Sequence, residues 1–216
     1  MLEKQTAPAT QVKHGGHSLR EQEDKANCTH NRDSSQEELF NIFAEAHANF
    51  PVSLGRKLGI PDSVLFDGPG QVGLIYADIS GRYWQPGGKT PLLIVPARPL
   101  IDLGDPEIEN STDVGDLIAF NPKNPKTMYV FNGMETVINR EFLEYDCFMQ
   151  GVMTLFESPL DYLRGSRKGG VIVSWDHMSS LAFPSSATIV CNQQVASRIK
   201  GLFRPPKLPR FEIVAL

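Results

Sequence analysis

The chain has 216 residues, 41% of them hydrophobic and 21% charged, enough to bury a core and too apolar for a disordered protein. No apolar run approaches the ~20 residues of a membrane helix, the first residues lack the apolar stretch of a secretory leader, and three scattered cysteines (Cys28, Cys147, Cys191) exclude a disulfide scaffold; the expected setting is a reducing cytoplasm. Residues 37–149 carry eight basic against sixteen acidic side chains and residues 150–216 eight basic against four, so the basic carboxy-terminal third is where nucleic acid would be met.

Residues 1–35 are polar and short of large aliphatics, and they read as a disordered tail. Ser34-Ser35-Gln36-Glu37 then offers a helix cap, and Leu39, Phe40, Ile42, Phe43 and Ala46 recur at helical spacing, which predicts a helix over Gln36–Asn49. Pro51–Pro61 reads as a short helix stopped by Gly and Pro, and Asp62–Phe66 as a second, before an Asp67–Gly70 turn. Val72–Ala77 and Gly81–Trp84 read as a hairpin joined at Asp78–Ser80, so residues 36–90 form a helical cap with a hairpin. Two short helices before a hairpin would also suit a winged DNA-binding unit over Pro51–Trp84, the basis of a regulator reading.

Residues 91–150 read as an antiparallel meander: Leu92–Pro96, an extension over Arg98–Leu103, then Leu117–Phe120 and Met128–Phe131 across a Pro- and Asn-rich turn. An acidic loop (Asp102, Asp105, Glu107, Glu109, Asp113, Asp116) lacks calcium-loop spacing and is expected to be exposed. Arg140–Tyr145 reads as a helical turn. Residues 151–216 change rhythm: strands Val152–Phe156, Val171–Trp175, Thr188–Cys191 and Phe211–Leu216 alternate with helices Pro159–Arg164 and Gln193–Phe203, the pattern of a small parallel α/β layer.

Glu157-Ser158-Pro159-Leu160-Asp161-Tyr162-Leu163-Arg164, followed by Gly169-Gly170-Val171-Ile172-Val173-Ser174-Trp175-Asp176, resembles the PLDWLR…G…VLDW pattern of bacterial and prophage proteins related to phage-type primases. Leu92–Pro96 and Gly115–Phe120 resemble a further part of the same proteins, and the likeness spans residues 70 to 216. The element order of the last third is similar to a TOPRIM domain, so the resemblance implies an α+β fold ending in a TOPRIM-like layer and a role in mobile-element DNA replication. In that family a Glu ending the first strand and an Asp-x-Asp ending the third bind Mg²⁺. Glu157 stands at the first place; the third strand instead runs into Asn192-Gln193-Gln194, with no carboxylate.

Loss of the Asp pair points to a non-catalytic accessory or interaction protein, with DNA or a replication protein as partner. The competing reading is a Mg²⁺-dependent primase- or nuclease-like enzyme in which Asp176, ending the second strand, joins Glu157 in a reduced metal site. Candidate nucleic-acid contacts are Arg167 and Lys168 in a Gly-rich loop, and Arg198, Lys200, Arg204 and Lys207 near the end of the chain. His14, His17, Cys28 and His30 have poor zinc spacing, and no nucleophile elbow occurs.

Overall fold

A computed structural model describes residues 36–66, 71–98, 114–179 and 182–203. The tail expected over 1–35, the Asp67–Gly70 turn, the extension past Arg98, most of the acidic loop and the strand Phe211–Leu216 lie outside them. Three helices, α1 (Gln36–Ala48), α2 (Val52–Lys57) and α3 (Asp62–Leu65), open the described chain. Five strands follow: β1 (Gly73–Ser80), β2 (Tyr83–Pro86), β3 (Thr90–Pro96), β4 (Leu117–Asn121) and β5 (Asn124–Val130). Then come β6 (Val137–Ile138), α4 (Arg140–Gln150), β7 (Val152–Phe156), α5 (Pro159–Arg164), β8 (Gly170–Ile172), β9 (Thr188–Cys191) and α6 (Gln193–Leu202). The fold is α+β.

The meander expected over 91–150 is not open. β1 to β5 close into a barrel in the order β1-β2-β5-β4-β3, so the expected boundary at residue 90 runs through one body. Two pairings do this: Gly73–Ala77 of β1 runs antiparallel to Thr90–Ile94 of β3, and Tyr83 of β2 meets Val130 of β5 in a parallel bridge. The hairpin proposed as a wing therefore has both outer edges occupied, and it forms a barrel wall. The reason is visible in composition: Leu92–Val95 and Leu117–Phe120 are apolar on both faces. Leu92, Ile94, Leu117 and Ala119 pack with Trp84 and with Leu39 and Phe43 of α1. Leu93, Val95, Ile118 and Phe120 pack instead with α2, α3 and α5. Closure leaves such strands no bare edge.

The second sheet has the order β6-β8-β7-β9, with β7, β8 and β9 parallel and β6 antiparallel to β8. β6 escapes the sequence pattern because only two residues pair. β8 is shorter than expected, since the N–H groups of Val173 and Ser174 both turn to the carbonyl of Thr136 and Trp175–His177 coils into a 3₁₀ turn. α4 runs five residues past the expected turn, to Gln150, and stops at Gly151 in the left-handed region (φ 67°). Its periodicity is faint because Leu143 is its one buried residue while Tyr145, Phe148 and Met149 face solvent.

β7, α5 and β9 fall where the sequence places them, because their local signals are complete. Ser158 caps α5 by accepting from the Asp161 N–H while Pro159 occupies the first turn; Asn192 caps α6 by accepting from the Val195 N–H. α5 is a wall common to both sheets: Leu160, Tyr162 and Leu163 share one cluster with Leu93, Val95, Ile118 and Phe120 of the barrel. Arg164 on the same helix donates from Nε to the carbonyl of Leu58, after α2. The opposite face of the second sheet, with Met153, Leu155 and Ile172, is covered by Leu143 of α4 and by Val195 and Ile199 of α6.

Candidate functional site

From β7 the chain steps through α5 to β8 on one side, and β9 then lies on the other side of β7. Ligands in open α/β sheets bind outside the carboxyl ends of strands where the winding reverses. Here that crevice lies beyond Phe156 and Cys191, and its first two residues are Glu157 and Asn192.

Glu157 is fully engaged there. Its Oε1 lies 2.7 Å from the Lys126 ammonium, and its Oε2 accepts from Asn192 Nδ2 at 2.7 Å. Lys126 belongs to β5 of the barrel, and its Nζ also donates to Gln194 Oε1 at 2.8 Å. The Lys126 hydrogen bond, with help from Asn192 and the charge of Arg198, holds the Glu157 carboxyl below its usual range. A cleft of about 560 Å³ opens over this network, lined by Lys126, Glu157, Gln193, Gln194, Ser197 and Arg198. The Arg198 guanidinium lies 5.2 Å from the centre of the Trp175 ring, so one cation tops an aromatic face at the cleft's rim. A neighbouring groove of about 340 Å³ runs under Thr154, Phe156, Val190 and Cys191 and reaches Asp161.

Of the expected pair, Glu157 is in the crevice and Asp176 is not among the residues lining it: Asp176 is exposed on the 3₁₀ turn beyond β8. Both Glu157 oxygens are taken by donors, one of them the Lys126 ammonium, and among the described residues no group of three or more His, Cys, Asp or Glu lies close enough to hold a metal.

The expected basic residues do not make one patch. Arg198 lines the cleft and Lys200 is exposed further along α6. Arg167 and Lys168 feed β8 from its amino end, while Glu157 leaves β7 at its carboxyl end; the loop is held by Asn139, whose Nδ2 donates to the carbonyls of Arg167 and Gly169. Arg204 and Lys207 lie outside the described residues. Nothing in the sequence marks Lys126 as a site residue, since nothing links a turn-flanking lysine to a strand end 31 residues on.

Asp116, expected in an exposed acidic loop, is wholly buried. Its Oδ1 accepts from the N–H groups of Leu117 (2.8 Å) and Asn132 (2.9 Å), and its Oδ2 from Met134 (3.0 Å). Burial pushes its carboxyl above the usual range against the pull of those amides. This carboxylate ties the chain entering β4 to the chain leaving β5 and is structural.

The Lys126–Glu157 pair has a pH signature. A carboxylate held below its unfolded value stabilises the fold above that value, and the contribution goes as pH falls through the folded one. Lys126 is 53% exposed, so Lys126→Met is expected to cost only about 0.5 kcal/mol at neutral pH. The difference from the parent should vanish in acid, as read by urea denaturation; a pH-independent difference would assign the loss to packing of the lysine stem.

Compared with protein-family models, curated proteins and solved structures, the chain gives no match.

Proposed function

We propose that this chain is a non-catalytic accessory protein of phage or mobile-element DNA metabolism, descended from a primase-like protein with a TOPRIM-like layer and meeting nucleic-acid backbone at the carboxyl edge of that layer. The observation that carries the reading is the Lys126–Glu157 ion pair at 2.7 Å. By the resemblance, Glu157 would stand at the first metal-ligand place of the resembling proteins and Asn192 at the first of their Asp pair. Lys126 and Arg198 bring two cations, and Gln193, Gln194 and Ser197 bring neutral hydrogen-bonding groups, to one open cleft. Such a surface suits phosphate and sugar contacts.

Fluorescence anisotropy of labelled single-stranded and duplex DNA, at two salt concentrations and with Mg²⁺ or EDTA, tests this. Binding is expected to weaken with salt and to be indifferent to EDTA. Arg198→Glu is expected to lower affinity by roughly tenfold, about the effect of losing one phosphate contact and adding a repulsive charge. Arg82→Ala, at the tip of the β1–β2 hairpin, should bind as the parent does; weakened binding there would favour a hairpin-based regulator. Mg²⁺-dependent primer synthesis or cleavage abolished by Glu157→Gln would overturn the proposal, and absence of binding in every condition would leave a replication protein as the partner.

A further inference from the structure

β9 is an edge without the usual protection. Among the described residues it pairs only with β7, and Thr188-Ile189-Val190-Cys191 contains no charge, proline or bulge. Val190 is 50% exposed, on the same face of the sheet as its partner Thr154. Natural sheets blunt or cover such edges, because an unpaired row of N–H and C=O groups recruits another strand.

The winding of the sheet limits where a further parallel strand could add. α5 connects β7 to β8 across the face holding Phe156 and Val171, and Leu160 and Leu163 pack there. α6 leaves β9 on the opposite face, where Val195 and Ile199 pack with Leu155 and Ile172. A crossover keeps its right hand only if opposite faces go with opposite directions along the sheet. A right-handed crossover through α6 to a further parallel strand would therefore step away from β7, onto the edge of β9.

The chain outside the described residues has the means to do this. After Phe203 come Arg204-Pro205-Pro206-Lys207-Leu208-Pro209-Arg210 and then Phe211-Glu212-Ile213-Val214-Ala215-Leu216. The first seven residues reach up to about 23 Å when extended, enough to pass from a helix layer to the sheet beneath it. The last six are rich in strand-forming side chains and contain no proline. From β9 to Phe211 the connection exceeds the dozen or so residues that a parallel crossover needs.

We propose that Phe211–Leu216 docks in cis on the free edge of β9 as a fifth, parallel strand of the second sheet. This rests on topology alone and is independent of any role in DNA metabolism. The test is NMR on the full chain. Cross-strand NOEs between residues 211–216 and 188–191 are expected, and they should persist when labelled chain is diluted into unlabelled chain, with a monomer mass by light scattering. A chain ending at Arg210, and the full-length variant Val214→Pro, should each lose amide-exchange protection in β9 by about tenfold or more, while β7 keeps its own. Absence of those NOEs would overturn the proposal. So would NOEs that appear only between labelled and unlabelled chains, which would place the segment on a second copy, or β9 protection equal in all three chains.

Discussion

Asp116→Ala is expected to destabilise the fold by about 3 kcal/mol or more, because it strands backbone donors inside the protein. The N–H groups of Leu117, Asn132 and Met134 all point at this carboxylate, and its burial leaves no room for solvent to replace it. Asp116→Asn should cost less: its oxygen can keep the two bonds now made by Oδ1, and its amide nitrogen then faces the Met134 N–H donor to donor. The pH dependence separates charge from shape. The carboxyl is raised in the fold, so the native state holds its proton more tightly than the unfolded chain, and this group's contribution to stability falls as pH rises from about 4 through the folded value. Asparagine cannot titrate, so the gap between parent and Asp116→Asn should be wider in acid than at neutrality. Urea denaturation followed by circular dichroism reads both quantities. Equal losses for Ala and Asn at every pH would mean that the amides are not held by this group.

Trp84→Ala is expected to cost about 3–5 kcal/mol, at the upper end for a core truncation. The indole is wholly buried, packs edge-on to Phe131 with ring centres 5.1 Å apart, and donates from Nε1 to the carbonyl of Leu117 at 3.1 Å. It shares its cluster with Leu39 and Phe43, so its loss loosens α1 as well as the barrel. Trp84→Phe keeps most of the packing and removes the donor, and should cost about 1–2 kcal/mol. The same chemical-denaturation midpoints measure both. A phenylalanine variant as damaged as the alanine variant would make the hydrogen bond, and not the packing, the larger contribution.

Legibility of the fold followed the range of the forces. β7, α5 and β9 could be read from the sequence because caps, proline placement and apolar runs are local, and Ser158, Pro159 and Asn192 announce their elements within a few residues. Barrel closure could not: the partners of Gly73–Ala77 and Tyr83 are distant, and an apolar run such as Leu92–Val95 looks the same in an open meander and in a closed wall. α4 was underestimated because one buried residue in eleven leaves almost no period to detect. At the site, the place of Glu157 directly after a strand is a sequence signal, and so is the lack of a carboxylate at Asn192. Lys126 was silent, since only the packing of barrel on layer brings it to Glu157. Asp116 misled because charge next to other charges suggests solvent, whereas a ring of backbone amides needs a single acceptor.

The parallel bridge from Tyr83 to Val130 has a kinetic consequence. β1 pairs with β2 in a local hairpin and with β3 across that hairpin, but the seam joins segments separated by two intervening strands and the loop between them. Contacts of that kind are entropically dear and form slowly, so barrel closure is expected among the last steps of folding. Lys126 rides on the strand that makes this seam. Lys126 reaches Glu157 from that strand, so the far wall of the cleft is expected to be fixed in place only once the barrel has closed.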